Sequence, residues 1–137
     1  MIRLATTDDL TVIKQIANQN REFIGFLMKV ALIESISKKS LFVFEENNIV
    51  LGFVHYHSRK DGWHTLHEIA VSKNFHSKGV GQQLFNIVPL PMRLKTTVDN
   101  VKALSFYSKN NMNIIRKEIG KKRELIVLEK EPHESPL

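Results

Sequence analysis

The 137-residue sequence predicts an α/β protein: a mixed sheet with helices on both faces. Three observations carry that expectation. Segments of helical and strand periodicity alternate along the chain. A strand-like run, Ile69 to Val71, passes through Gly79 and Gly81 into a helical pattern. Asn47-Asn48 and Asp61-Gly62 are turn signals flanked by strand-like runs.

The elements follow in order. Ile2 to Ala5 reads as a short strand. Thr6, Thr7 and Asp8 offer side-chain oxygens to the free N–H groups of a helix start. Leu10, Ile13, Ile16 and Ala17 then recur at helical spacing. A second helix is expected over Arg21 to Ser37, with Phe23, Phe26, Leu27, Val30, Ile33 and Ile36 on one side. Leu41 to Glu45 and Ile49 to His57 are strands joined through Asn47 and Asn48. Read as a two-residue turn, Asp61-Gly62 pairs Lys60 with Trp63 and sets His55 opposite Glu68 on the next strand. That strand runs from about Trp63 to Val71.

After the glycines a helix extends to about Val88, where Pro89 and Pro91 stop it. Met92 to Val98 is a strand. Asp99 or Asn100 caps a helix carrying Val101, Leu104 and Tyr107, and Asn110 and Asn111 suit its end. Asn113 to Ile119 and Glu124 to Glu129 form a closing hairpin around Gly120-Lys121. The order is β-αα-βββ-α-β-α-ββ. A single domain is expected over residues 1–130, with 131–137 a loose tail.

Composition bounds the function. Hydrophobic residues are 42% and charged residues 25%, ordinary for a globular protein. The absence of cysteine excludes disulfides, a cysteine nucleophile and thiolate metal ligands. No apolar run approaches the length of a membrane span, and the first residues lack a secretory layout, so a cytoplasmic location is expected. A net charge of +6 favours polyanionic partners, either nucleic acid or a highly phosphorylated cofactor. His55, His57 and His64 with Glu68 match no metal-ligand spacing, and no metal is expected.

The loop from His76 to Gly81, H-S-K-G-V-G, suits an anion. Helix N-termini present unpartnered N–H groups and a positive dipole end, and glycine lets a phosphate reach the backbone. Lys73 and Lys78 add charge on either side. Leu84 stands where a dinucleotide fingerprint needs its third glycine, and no nucleotide-triphosphate loop is present.

Three features together resemble the GNAT superfamily of acyl-CoA-dependent N-acyltransferases. The element order fits nearly the whole chain. Val71 followed by His76 to Gly81 is similar to the family's [QR]-x-x-G-x-[GA] loop, with His76 in the Gln/Arg place. Asn100 to Met112, N-V-K-A-L-S-F-Y-S-K-N-N-M, resembles the family's N-x-x-A-x-x-x-Y-x-x-x-G-F, with Asn111-Met112 in place of Gly-Phe. Imidazole still donates to phosphate, Asn tolerates the left-handed backbone, and Met is apolar like Phe.

The resemblance implies acetyl-CoA as co-substrate and a small-molecule or peptide amine as acceptor. It implies cofactor binding by Ile69, Ala70, Val71, His76, Ser77, Lys78, Gly79, Val80, Gly81 and Asn100. It assigns Tyr107 the protonation of the leaving thiolate. With neither a cysteine nor a G-x-S-x-G elbow, direct attack by the amine is expected over an acyl-enzyme. Glu68, on the strand entering the loop, is the expected base, with His67 or water as alternatives. A nucleic-acid-linked amine is a second acceptor class, and a non-catalytic CoA- or protein-binding module a third reading. Either a monomer or a homodimer is compatible with the sequence.

Overall fold

The computed structural model describes residues 1–24, 27–75 and 78–132, with only the backbone at Phe23. Its elements are β1 (Ile2–Leu4), α1 (Leu10–Gln19), α2 (Arg21–Ile24), α3 (Lys29–Ser37), β2 (Leu41–Glu46), β3 (Ile49–Ser58), β4 (His64–Val71), α4 (Val80–Asn86), β5 (Met92–Thr97), α5 (Val101–Lys109), β6 (Asn113–Ile119) and β7 (Glu124–Lys130). Single 3-10 turns precede α1 and α4. The chain divides into two compact units, Met1–His57 with Leu66–Val88, and Ser58–Thr65 with Pro89–Leu137. Among the described residues, no helix is long and apolar enough to cross a membrane.

In the first unit the strands run in the order β1-β2-β3-β4. Ile2 faces Phe44 and Leu41 faces His55, both in antiparallel pairs. Asn47 and Asn48 take positive φ, 53° and 64°, as a tight two-residue hairpin requires. One sheet face packs on α1 and α3: Ile13, Ile16 and Ala17, with Leu32, meet Leu41, Val43, Phe53 and Ala70. Burying each large aliphatic side chain contributes roughly 1.5–3 kcal/mol. The residue beside Phe53 points to the other face, and there α4 presses closely. A Cβ on Gly52 would lie 2.8 Å from the Ala70 carbonyl oxygen, 3.0 Å from Leu84 and 3.2 Å from Val80.

Arg3 ties β1 to the start of α1. Its guanidinium grips Asp9 with two bonds, 2.8 and 3.0 Å, and also bonds Glu45. The Thr6 N–H donates to the same Asp9 carboxylate at 2.8 Å. These donors, Arg3 first, hold Asp9 below the usual carboxylate range although burial opposes them.

The expected second helix is two helices. Met28 is extended (φ −75°, ψ 141°) and starts α3 afresh. Its inward side agrees only in part: Leu27 and Ile36 pack against the core as expected. Leu32 is 5% exposed, whereas Val30 and Ile33 are 72% and 39% exposed. Restarting the helix at Met28 resets which positions face the sheet. Phe26 and the Phe23 side chain lie outside the described residues.

In the second unit the strand order is β5-β7-β6, all antiparallel. Its buried residues include Met92, Leu94, Tyr107, Met112, Ile126, Val127 and Leu128. Asn111 is left-handed (φ 63°) after α5, and the Met112 N–H returns to the Tyr107 carbonyl at 3.0 Å. The expected tolerance of Asn and Met at this helix end is what the structure uses.

Candidate functional site

The loop after β4 is fixed from its own unit. The Ser72 N–H donates to the Leu51 carbonyl at 2.7 Å. The Asn20 side-chain amide, at the end of α1, donates to the carbonyls of Ile16 (2.8 Å) and Val71 (3.2 Å). Gln19 accepts the Lys73 N–H at 3.0 Å. Neither residue was expected to serve the loop. The polar run Asn18-Gln19-Asn20 at a helix end is the only trace of it in the sequence.

Gly79 caps α4 in the left-handed conformation (φ 78°), which L side chains rarely adopt. Among the described residues, a Cβ there would meet nothing within 4 Å, and one on Gly81 would meet only Val71, at 3.5 Å. The space over the glycines is therefore open. The helix geometry directs its first N–H groups and positive dipole end toward the loop. This donor set suits a phosphorylated ligand. Lys78 lines an adjoining hollow of about 420 Å³ with Glu46, Asn47, Ile49, Leu51 and Phe75. His76 and Ser77 lie outside the described residues. The Ala70 side chain belongs to the core, so only its backbone is left for a ligand.

Glu68 and His55 meet as the sequence count implied, but by a different route. The turn contains three residues, because the Arg59 N–H bonds the Trp63 carbonyl (2.8 Å) and the Gly62 N–H bonds the Arg59 carbonyl (3.2 Å). Gly62 takes φ 89°. Counting inward from Arg59–Trp63 sets His55 opposite His67. Counting from the Leu51–Ser72 bond at the other end sets it opposite Glu68. The two counts differ by one, so β4 carries one extra residue between them, a bulge. His55 accordingly touches both residues. Its Nδ1 lies 2.7 Å from Glu68 Oε2, and its ring stacks on His67 with centroids 4.8 Å apart. His67 therefore stands on the side of this pair, although strict alternation from Glu68 would turn it to the other face.

His55, His57 and His67 line a cavity of about 320 Å³ with Ala31, Glu34, Ser35 and Lys38 of α3 and its C-cap, and with Ser40. His64 instead pairs with Ser58 at 2.9 Å. Among the described residues no three of His, Asp or Glu are placed to hold a metal ion.

In the second unit Tyr107 is 8% exposed and meets Phe106 edge-on, centroids 5.6 Å apart. Burial pushes its hydroxyl up to about 12. Asn100 is buried and caps α5, accepting the Ala103 N–H at 3.2 Å and reaching Thr96 at 3.4 Å. Its side chain is thus committed to the helix start.

The chain resembles several solved structures. Ard1 of Thermoplasma volcanium is 19% identical, covers 95% of each chain and superposes with TM-score 0.85. yncA of Salmonella typhimurium, solved with acetyl-CoA as its cofactor, is 16% identical over 99% of this chain and 96% of that one, TM-score 0.75. Naa50 of Arabidopsis thaliana, in complex with the bisubstrate analogue CoA-Ac-MVNAL, is 16% identical over 95% of this chain and 97% of that one, TM-score 0.73. No curated protein matches the chain significantly in sequence. Residues 37–111 match the acetyltransferase (GNAT) domain family, a stretch holding the glycine loop, Glu68 and Tyr107, and the chain belongs to that family.

Proposed function

We propose that the protein moves an acetyl group from acetyl-CoA to a primary amine by direct attack in a ternary complex. The observation that carries this reading is Gly79: a left-handed glycine with clear space above it, opening a helix inside the matched region. The pyrophosphate of the donor lies on the backbone from Lys78 to Gly81, with His76 and Ser77 as further contacts. The backbone from Ile69 to Val71 pairs with the pantetheine arm. The free amine attacks the thioester carbon, and its proton passes to Glu68. Tyr107 gives its proton to the departing thiolate. A hydroxyl pushed up to about 12 is protonated at neutral pH, as a donor must be. Asn100 contributes by fixing the start of α5.

A peptide N-terminus is one acceptor class to try, since the Naa50 structure holds an analogue joining CoA to a peptide. A nucleic-acid-linked amine is the second, favoured by the net charge of +6. The test is thiol release from acetyl-CoA across spermidine, small primary amines, an alanyl tetrapeptide and tRNA. Thiol release above the acceptor-free rate in any arm supports the reading. Tight CoA binding with no release in any arm favours a binding module instead. Calorimetry on Gly79→Asp locates the donor: affinity for CoA falls by about tenfold or more, because a carboxylate and a Cβ enter the phosphate space. Undiminished affinity removes the phosphate from this loop.

A further inference from the structure

We propose that His55 is the positioning residue for Glu68: its Nδ1–H, donated across the β4 bulge, holds the carboxylate where it takes the ammonium proton. The proposal rests on the reading of Glu68 as base.

An ionised carboxylate can only accept, so at 2.7 Å the hydrogen sits on Nδ1 and the imidazole tautomer is fixed. Both side chains are 22% exposed, so the bond is partly shielded from water. His55 is itself held. It stands opposite Leu41 and shares the face of Phe53, both fully buried. The other side of its ring lies on His67, tilted by 30°. A glutamate on a half-exposed strand has several rotamers, and a donor that cannot move selects among them.

The remaining groups facing His55 do not compete for it. On α3 and its C-cap, Glu34 and Lys38 bond each other at 2.8 Å. On β3, His57 lies within 6.4 Å of His67. On β4, His67 sits below the usual histidine range, first through the protein packed around it and then through His55, although part of it meets solvent. That direction favours an uncharged ring beside His55, although Glu68 works against it.

Two measurements test the proposal. The first needs no acceptor. Long-range ¹H–¹⁵N spectra of the histidine rings should show one Nδ1-protonated neutral ring, absent from His55→Asn and losing its tautomer preference in Glu68→Ala. Absence of that tautomer in the wild type overturns the proposal. The second is kinetic, with acetyl-CoA and either spermidine or the alanyl tetrapeptide, whichever turns over. His55→Ala should lower kcat on the order of tenfold, with acetyl-CoA KM unchanged. His55→Asn places an amide N–H close to where Nδ1–H stood and should recover most of that loss. Melting temperatures confirm that each variant folds. If Glu68→Gln is slow while His55→Ala turns over normally, the positioning role is wrong and the base survives. The role is equally wrong if Asn and Ala are equally slow in folded protein. If Glu68→Gln is as fast as wild type, the base reading itself falls and takes this proposal with it.

Discussion

Glu68 and Tyr107 are surrounded in opposite ways. Glu68 is 22% exposed on a bulged strand and bonds an imidazole. Tyr107 is buried beside Phe106, and burial pushes its hydroxyl up to about 12. A phenol so placed keeps its proton at neutral pH, and burial makes its phenolate costly. In the proposed reaction this contrast in surroundings accompanies the two roles, Tyr107 as acid and Glu68 as base.

The sharpest way to break this contrast is Glu68→Gln. Turnover at neutral pH should fall about a hundredfold or more, with little change in acetyl-CoA KM. Unchanged turnover would move the base to His67 or to water.

Tyr107→Phe tests the other member and should lower kcat by roughly ten- to a hundredfold. It has a second readout. The folded hydroxyl titrates near 12 and the unfolded one near 10, so the native state holds its proton longer. Stability from this group is intact below about pH 10 and is lost progressively as pH rises toward 12. Denaturant titrations from pH 9 to pH 11.5 should show the wild type losing up to about 2 kcal/mol more than Tyr107→Phe. Equal losses would mean that Tyr107 is hydrated.

Asp9 is the control, a carboxylate with a cationic partner and no acid–base role. Asp9→Asn should lower the melting temperature by several degrees, roughly 1–2 kcal/mol, and leave kcat alone. Its folded pKa is depressed. The stability it contributes is therefore present above the ordinary Asp range and lost as pH falls through and below it. Melting curves from pH 7 to pH 3 should converge for the two proteins. A kcat effect as large as that of Glu68→Gln would show that partnered carboxylates here matter through folding alone.

Much of this is legible in the sequence. The turn at Asn47-Asn48, the glycine start of α4 and the Asn111 ending of α5 are local conformational demands that particular residues meet, and each stands where expected. The α1 stripe of Ile13, Ile16 and Ala17 is buried as its spacing implies. What escaped reading depends on contacts far apart in the chain. The side of α3 that turns inward follows from a fresh start at Met28. The service of Gln19 and Asn20 to the loop spans 54 and 51 residues. The His55–Glu68 meeting was reached by two offsetting errors. The turn holds one residue more than Asp-Gly suggested, and the bulge on β4 restores the count.

Gly52 has a consequence for how this sequence can change over generations. The missing methyl is crowded by two side chains and one carbonyl, those of Val80, Leu84 and Ala70. Trimming Val80 or Leu84 would clear the side chains, but no substitution removes a main-chain oxygen 2.8 Å away. Drift at position 52 therefore cannot be compensated by a single neighbour. It requires β4 itself to move, and with it the loop that β4 leads into.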